Sequence, residues 1–168
     1  EKLKLITIGV DWKRKGIDKA ILLTESLINM GVDTELTIVG STPRKNINKP
    51  YLKIYNSINK SNSKGEEMIS KLFFDSHFNI LFSEAEAFGV VLVEANMHGI
   101  PNIAFNVGGI SEIVKNDISG HLFDENCDID LIIKYILNLK NNLAKYRKLC
   151  LSSYDNYENF HKYPAIIE

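Results

Sequence analysis

Two glutamates, Glu86 and Glu94, flank a nearly continuous apolar segment, FGVVLV. Carboxylates at this spacing could take part in the chemistry of a functional site. A carboxylate among apolar residues is costly to bury unless a partner compensates for its lost hydration. Glu94 therefore either faces solvent or meets a partner, and Glu86 is either a binding residue or an ordinary acid of a surface loop. If a helix begins near Phe88, Glu94 lies about 9 Å along the helix axis, while Glu86 stays near the helix start. The two carboxylates could then accept hydrogen bonds from hydroxyl groups on different parts of one elongated ligand.

Candidate anion-binding groups lie in two other places. Lys13, Arg14 and Lys15 are consecutive cations between the first predicted strand and the first predicted helix, and such side chains can hold a phosphate. The alternative is an ordinary solvated turn. Phe88 and Gly89 stand where a later helix begins, and the free amides and the dipole of a helix start attract anions. A diphosphate could bind there, although neither the G-x-G-x-x-G nor the Walker fingerprint is present, so the chain is not an obvious dehydrogenase or P-loop enzyme.

The composition is that of one globular domain, with 168 residues, of which 45% are hydrophobic and 24% are charged. Residues 1–71 contain 13 Lys or Arg against 8 Asp or Glu, whereas residues 72–168 contain 7 against 13. The net charge of -1 argues against a general nucleic-acid binder, and the basic first half favours a small phosphorylated ligand. No apolar run approaches the roughly 20 residues that span a bilayer, and no leader is evident. The two cysteines lack the spacing of a metal or disulfide site, so we expect a cytoplasmic protein.

Strand and helix signals alternate along the chain. The predicted strands are apolar on both faces, which is typical of a parallel sheet that is covered by helices on both sides. The sequence therefore predicts a doubly wound, Rossmann-like α/β fold, in one domain over residues 1–168 with a helical tail from about residue 141. The predicted strands are 3–8, 35–39, 52–55, 78–82, 102–105 and 121–123, and the predicted helices are 17–30, 65–75, 88–99, 111–114 and 129–139.

Ligands of such folds bind beyond the carboxyl ends of the strands, where successive crossovers diverge. The loops that follow predicted strands are therefore the ones to inspect. They are residues 9–16, 40–50, 83–89 and 106–109, and they contain the three cations and Glu86.

The run EAFGVVLVEANMHGIPNIA, residues 86–104, carries a resemblance to a known family. Together with GGISEIV at residues 108–114 and with Lys15 and Gly16, it resembles the donor-binding domain of retaining GT-B glycosyltransferases. More narrowly, it is similar to the large family 4 group, often called glycosyl transferases group 1. The combination of E-x7-E, F-G after the first glutamate, and the later E-A and G-x-P is rather specific, and the likeness spans about residues 5–123. The resemblance implies the C-terminal domain of a GT-B enzyme, and nothing in this chain corresponds to the acceptor-binding N-terminal domain.

The resemblance implies roles for three charged residues. Glu86 matches the first glutamate of the motif, which in the family contacts hydroxyls of the transferred sugar near the reacting centre. Glu94 matches the second glutamate, which holds the ribose hydroxyls of the nucleotide. Lys15 matches the cation that stabilises the departing diphosphate.

Backbone groups complete the implied donor site. Phe88, Gly89 and Val90 match the backbone that approaches the sugar and the diphosphate. Gly40 lies in the loop that borders the nucleotide. Ile58 falls near the place where family members read the base through main-chain atoms.

The sequence also departs from the family pattern. Many members have an arginine directly after the glycine that ends the first strand, whereas this chain has Val10. We expect Arg14, or alternatively Lys13, to supply the missing catalytic charge. Phe82 stands where a proline is common, and residues 41–43 replace a more glycine-rich loop, which leaves the donor specificity open.

The resemblance and the residues together predict the donor-binding half of a retaining, hexosyltransferase-like glycosyltransferase in polysaccharide or glycolipid synthesis. It would move a sugar from a nucleotide-diphosphate sugar to an acceptor sugar or lipid bound by the missing N-terminal domain. We expect no cofactor and no metal, because the cations and the helix start can stabilise the leaving group, and the sequence DID at residues 128–130 is better explained as a helix start. The full-length enzyme could associate peripherally with a membrane. The alternatives are a sugar-nucleotide epimerase or phosphorylase of similar fold, and a non-catalytic nucleotide- or carbohydrate-binding module.

Overall fold

The computed structural model describes residues 1–43 and 47–161. The strands within these residues are β1 (Leu3–Ile8), β2 (Thr34–Val39), β3 (Leu52–Tyr55), β4 (Phe78–Leu81), β5 (Asn102–Phe105) and β6 (Gly120–Phe123). The helices are α1 (Ile17–Asn29), α2 (Ser63–Phe74), α3 (Val90–Met97), α4 (Ile110–Ile113), α5 (Ile129–Lys140) and α6 (Leu143–Asn156), and a π-helical turn (Tyr157–His161) follows α6.

The strands form one parallel sheet in the order β3-β2-β1-β4-β5-β6. The chain runs outward from β1 through β2 to β3, returns to place β4 beside β1, and continues through β5 to β6. The predicted doubly wound α/β fold is therefore confirmed. Because the crossovers diverge between β1 and β4, the loops that leave these two strands are neighbours at the carboxyl edge of the sheet.

Each face of the sheet is covered by helices, and each has its own apolar core. On β1, Leu3 and Leu5 point to the first core, which α1 and α5 complete. Ile6 and Ile8 point to the second core, which α2, α3 and α4 complete. The absence of a polar face from the strands therefore reflects burial on both sides, as expected for such a sheet.

Helix α3 begins at Val90 and not near Phe88, which corrects the expected start. Gly89 is its N-cap residue and has a φ of 83° in the left-handed region, so the helical conformation starts only after it. Glu94 consequently lies four residues, or about 6 Å, along the axis instead of about 9 Å. Glu94 therefore lies about one turn into α3, and Glu86 lies four residues before the helix begins.

The helical tail packs back on the sheet through α6. The Tyr146 hydroxyl donates a hydrogen bond to the His77 carbonyl oxygen at 3.0 Å, and the Tyr146 ring packs edge-on against Phe78 with centroids 5.5 Å apart. Leu149 is buried in the first core. Among the described helices, none is long and apolar enough to cross a membrane.

Candidate functional site

The Glu86 carboxylate lies in a cluster of polar groups between the loop after β1 and the loop after β4. Lys15 Nζ donates a hydrogen bond to Glu86 Oε2. Arg14 Nη1 lies 3.8 Å from the same oxygen, and Ser83 Oγ lies 3.4 Å from it. The side chains of Lys15 and Glu86 are only 10% and 11% exposed. Within the described residues, every polar contact of this carboxylate goes to Oε2, so Oε1 can accept a hydrogen bond from a ligand.

Two glycines allow Lys15 to lie beside this carboxylate. A Cβ at Gly9 would lie 2.6 Å from Lys15 Cγ, so the lysine stem packs directly on the backbone that ends β1. Gly16 has a φ of 64°, and a Cβ there would lie 2.0 Å from the carbonyl oxygen of Phe82. Only glycine permits this approach, which brings the start of α1 against the end of β4.

A pair of glycines holds the backbone of Glu86 in place. Gly108 has a φ of 54°, and a Cβ there would lie 1.9 Å from the Glu86 carbonyl oxygen. The Gly109 amide donates to that same oxygen at 3.2 Å, and a Cβ at Gly109 would lie 2.2 Å from the Ala87 carbonyl oxygen. The GG pair of the sequence motif therefore lets the loop after β5 support the loop that carries the acid.

The start of α3 lies next to the same acid. A Cβ at Gly89 would lie 3.4 Å from Glu86 Cγ and 2.8 Å from Leu92 Cδ1. Among the described residues, no side chain caps the helix. The Leu92 amide donates to the Gly89 carbonyl oxygen at 2.9 Å, which leaves the amides of Val90 and Val91 without an intrahelical or side-chain acceptor. Phe88 and Val90 are 45% and 62% exposed. Gly89 between them is buried, and the dipole of α3 would attract an anion to this end of the helix.

A buried network of asparagines holds α3 on the sheet. Asn102 Nδ2 donates to the Leu92 carbonyl oxygen at 3.0 Å and to Asn96 Oδ1 at 2.7 Å, and Asn102 Oδ1 accepts from Asn79 Nδ2 at 2.7 Å. All three asparagine side chains are fully buried. Because a buried amide loses its hydration unless it is hydrogen-bonded, the network favours one position of α3 relative to β4 and β5.

Glu94 meets a cation that the sequence did not single out. Lys60 Nζ lies 2.6 Å from Glu94 Oε1, and the lysine and glutamate side chains are 43% and 26% exposed. The pair lines a cavity of about 290 Å³ together with residues of α2 and α3, and this cavity does not include Glu86. No local pattern predicts the contact, because the two residues are 34 positions apart and come from different connections of the sheet.

Gly40 and Ile58 lie in the loops that follow β2 and β3. Gly40 has a φ of 89°, and a Cβ there would lie 3.2 Å from the carbonyl oxygen of Gly9, beside the stem of Lys15. Ser41 Oγ donates a hydrogen bond to the same Gly9 oxygen. The Ile58 side chain is partly buried against the second core, and Ile58 lines a cavity of about 470 Å³.

The cation loop is joined to the motif loop through Arg14. The Glu84 amide donates to the Arg14 carbonyl oxygen at 2.9 Å, and Arg14 Nη1 lies 3.4 Å from the Ala85 carbonyl oxygen. Val10 is 79% exposed, and Lys13 is also exposed. Of the two cations considered in place of the family arginine, Arg14 is the one that reaches the motif carboxylate.

Two further polar side chains have structural roles. Asp128 caps α5 by accepting a hydrogen bond from the Asp130 amide at 3.0 Å. His98 is the C-cap residue of α3, and its ring stacks on Phe73 with centroids 5.0 Å apart. Over the described residues, no group of three or more His, Cys, Asp and Glu side chains could hold a metal ion.

Comparisons with known proteins identify the family. The family model described as glycosyl transferases group 1 matches residues 1–152. The uncharacterized glycosyltransferase MJ1178 of Methanocaldococcus jannaschii is 31% identical over 143 residues, which cover 80% of this chain and 37% of that protein. The crystal structure of WaaG, a glycosyltransferase involved in lipopolysaccharide biosynthesis, has a TM-score of 0.76 at 19% identity and covers 94% of this chain and 43% of WaaG. Anabaena HepE in complex with UDP-glucose has a TM-score of 0.75 at 16% identity and covers 94% of this chain and 44% of HepE.

These comparisons differ in what they establish. The likeness to the two solved structures is a likeness of fold. The chain spans less than half the length of each of the three proteins. The family model, in contrast, matches most of the chain and includes the loops after β1 and β4, α3 and both motif glutamates. The chain therefore belongs to the glycosyl transferases group 1 family.

Proposed function

We propose that this chain is the donor-binding half of a retaining, metal-independent glycosyltransferase that acts in the cytoplasm. It transfers a hexose from a nucleotide-diphosphate sugar to an acceptor, in the synthesis of a polysaccharide or a glycolipid. The observation that carries the proposal is the cluster of Lys15, Arg14 and Glu86 beside the uncapped start of α3. Such a cluster offers cations for a leaving diphosphate and an acid for sugar hydroxyls at one edge of the sheet.

The cations act on the leaving group. When the bond between the anomeric carbon and the diphosphate oxygen breaks, positive charge develops on the sugar ring and negative charge on the departing oxygens. Lys15, Arg14 and the amides at Phe88 to Val90 stabilise that negative charge, as electrostatic catalysis by preorganised donors requires. Neither a cofactor nor a metal is part of this proposal.

Glu86 orients the sugar. Lys15, Arg14 and Ser83 gather around Oε2, and no described residue contacts Oε1, so Oε1 could accept a hydrogen bond from a hydroxyl of the transferred sugar. A donor that brings its own diphosphate would also compete with Glu86 for the Lys15 ammonium. We assign Glu86 an orienting role and no role as a nucleophile, and retention is proposed from the resemblance of the motif.

The nucleoside lies toward the other end of the site. Glu94 binds the ribose hydroxyls, Gly40 borders the nucleotide, and the main chain near Ile58 contacts the base. Support comes from the position of Gly40 against Gly9 beside the Lys15 stem, and from the partly exposed Glu94 carboxylate one turn into α3. The ligand would span the first turn of α3.

The proposed partners are a nucleotide sugar and an acceptor sugar or lipid. HepE, which shares the fold, was crystallised with UDP-glucose, and this supports a nucleotide sugar as the donor. The acceptor would bind a second domain, and the whole enzyme would associate peripherally with a membrane when its acceptor is a lipid. No nucleic-acid partner is proposed. The family match favours neither an epimerase or phosphorylase nor a non-catalytic binding module.

Titration calorimetry with UDP, GDP, ADP and their sugars tests the proposal. We expect at least one of these compounds to bind, and we expect Glu94→Ala to weaken binding about tenfold, because it removes the acceptor of the ribose hydroxyls. The melting temperature of the variant should stay near that of the wild type, since Glu94 is partly exposed.

Glu84→Ala is the matched control, because Glu84 is an exposed acid of the same region whose contact with the site, within the described residues, is made by its backbone amide. Its nucleotide affinity should equal that of the wild type. Wild-type protein that binds none of the compounds at millimolar concentration would overturn the proposal. Unfolding of Glu94→Ala would instead make Glu94 a structural residue.

A further inference from the structure

We propose that Lys60 and Glu94 act together as a receptor for a vicinal diol, the 2′- and 3′-hydroxyls of the donor ribose. The inference rests on the proposed function and adds to it a binding residue outside the sequence motif. It assigns to Lys60 the selection of a ribonucleotide over a deoxyribonucleotide.

The chemistry of a diol explains why a carboxylate and an ammonium together bind it better than the carboxylate alone. Each hydroxyl group both donates and accepts a hydrogen bond, whereas an ionised carboxylate only accepts and an ammonium only donates. Lys60 Nζ uses one of its three N–H groups on Glu94 Oε1, at 2.6 Å. Within the described residues, Lys60 Nζ and Glu94 have no other polar side-chain contact, so two N–H groups of the lysine and Glu94 Oε2 are available to a ligand. A ribose hydroxyl could donate to the carboxylate while a hydroxyl oxygen accepts from the ammonium.

The loop that carries Lys60 is built to approach α2 closely. A Cβ at Gly65 would lie 1.7 Å from the carbonyl oxygen of Asn59, so only glycine allows the loop to pack on the first turn of α2. Asn62 Oδ1 accepts from the Gly65 amide at 2.9 Å and caps the helix, and Asn59 Oδ1 accepts from the Ser61 amide at 2.8 Å. Both neighbours of Lys60 therefore have fixed backbone, and the lysine reaches α3 from a defined position.

The other side of the pair is held equally well. His98 Nδ1 lies 2.7 Å from the Glu94 carbonyl oxygen, and the His98 ring packs between Phe73 in a stacked arrangement and Phe74 in an edge arrangement. These contacts join the end of α3 to the end of α2. The helix that carries Glu94 is thus packed on the helix that follows the Lys60 loop.

The surroundings of the pair favour a binding role over a purely stabilising one. Both side chains are partly exposed, at 43% and 26%, and a partly exposed ion pair contributes little to stability. They line the cavity of about 290 Å³, whose walls also include Ile69 and Met97. A sugar ring has both apolar and hydroxyl surfaces, and this cavity offers groups for each.

The test compares ribonucleoside and 2′-deoxyribonucleoside diphosphates by calorimetry. The probe is whichever of UDP, GDP or ADP binds the wild type best, together with its 2′-deoxy form. We expect the wild type to prefer the ribose form about tenfold, and Lys60→Met to weaken the ribose form about fivefold while changing the deoxy form less than about twofold. Lys60→Arg should retain most of the preference, because arginine keeps the charge and the donors.

A double-mutant cycle shows whether Lys60 acts through the diol site. In a Glu94→Gln background, Lys60→Met should change the ribose affinity by less than about twofold, because the pair is already broken. Lys71→Met is the matched control, since Lys71 is an exposed lysine of α2 that does not line the cavity of the pair, and it should behave as the wild type.

The outcomes separate the two proposals. If the wild type binds no nucleoside diphosphate, the proposed function fails and this inference fails with it. If the wild type binds but Lys60→Met leaves the ribose preference unchanged, or weakens both forms equally, only this inference is overturned. The melting temperature of each variant shows whether the variant is folded. The ribose preference of the wild type is measured on the unmodified chain and does not depend on the folding of any variant.

Discussion

At the scale of single residues, Lys15 and Glu86 neutralise each other in the chain without a ligand. They are 71 positions apart and almost enclosed, and Arg14 adds a second positive charge on the solvent side of the same oxygen. Breaking a buried pair is costly because the remaining charge is left without a partner. Removal of either partner should therefore be destabilising. Under the proposed function, Lys15 binds the diphosphate when the diphosphate replaces the Glu86 carboxylate at its ammonium.

Removing the lysine should affect both stability and binding. We predict that Lys15→Met lowers the free energy of unfolding by about 1 to 3 kcal/mol, because Glu86 keeps only the more distant Arg14 as a cationic partner. We also predict about tenfold weaker binding of a nucleoside diphosphate, because a cation facing the diphosphate is lost. Urea unfolding and calorimetry measure the two effects.

Two further variants make this prediction specific. Lys13→Met removes an exposed charge of the same loop and should leave the stability within about 0.5 kcal/mol of the wild type. Lys15→Met combined with Glu86→Gln removes both charges and should recover part of the lost stability without recovering nucleotide binding. A double variant less stable than Lys15→Met alone would contradict this account.

At the scale of elements, the site depends on how closely the loops at the carboxyl edge of the sheet approach each other. The loop after β5 packs against the loop after β4 through Gly108 and Gly109, and the start of α1 packs against the end of β4 through Gly16. Each approach is closer than a side chain would allow. The glycines of the sequence motif therefore determine how closely the loops approach each other. This role does not require them to contact the ligand.

Gly108→Ala should distort this part of the site. The new Cβ would lie 1.9 Å from the Glu86 carbonyl oxygen, so one of the two loops must move. We predict a loss of more than about 2 kcal/mol in the free energy of unfolding and a clear loss of nucleotide-sugar affinity.

Gly31→Ala is the control for backbone strain alone. Gly31 also has a positive φ, of 84°, but a Cβ there would meet no atom within 4 Å. We expect Gly31→Ala to lower the free energy of unfolding by about 1 kcal/mol and to leave the ligand affinity unchanged. Equal losses for the two variants in urea unfolding would show that the close approach at Gly108 is unimportant.

At the scale of the whole molecule, α6 closes the fold near the amino ends of β1 and β4, at the opposite edge from the proposed site. His77 lies there, where its Nδ1 accepts a hydrogen bond from the Lys4 amide at 3.0 Å and its carbonyl oxygen accepts from Tyr146. Burial lowers the pKa of His77, and it outweighs the smaller opposing effects of the Glu1 charge and of the hydrogen bond with the Lys4 backbone. The ring is therefore held neutral in the folded chain at pH values where it would be partly protonated in the unfolded chain.

This lowered pKa gives a pH dependence of known sign. Below the unfolded pKa of about 6.5, the unfolded chain binds more protons at this residue than the folded chain does. We predict that the melting temperature falls as the pH is lowered from about 7.5 to 5.5, and that His77→Gln makes the fall shallower. Burial also lowers the pKa of His121, so part of the dependence should remain. A melting temperature that rises on acidification over this interval would contradict the prediction.

Much of the fold could be predicted because its signals are local. The strands at residues 3–8, 52–55 and 102–105 have the bounds that their apolar runs indicate, and α5 begins after the expected cap, Asp128. The start of α3 could not be predicted as well, because Gly89 suits either a first helical residue or a left-handed cap, and apolar periodicity does not distinguish them. The error of two residues moved Glu94 by about half a turn along the helix.

The amino-acid order alone was sufficient for the parallel α/β architecture, for the family motif around FGVVLV and for the loops in which its charged residues stand, because these depend on periodicity and on spacing along the chain. The partners of the charges were decided by the folded chain. Lys15 meets Glu86 because β1 and β4 are neighbours, and Lys60 meets Glu94 because α2 and α3 pack on the same face. Contacts between residues so far apart depend on strand order and helix packing, which are properties of the whole core and leave no mark in a short segment of sequence.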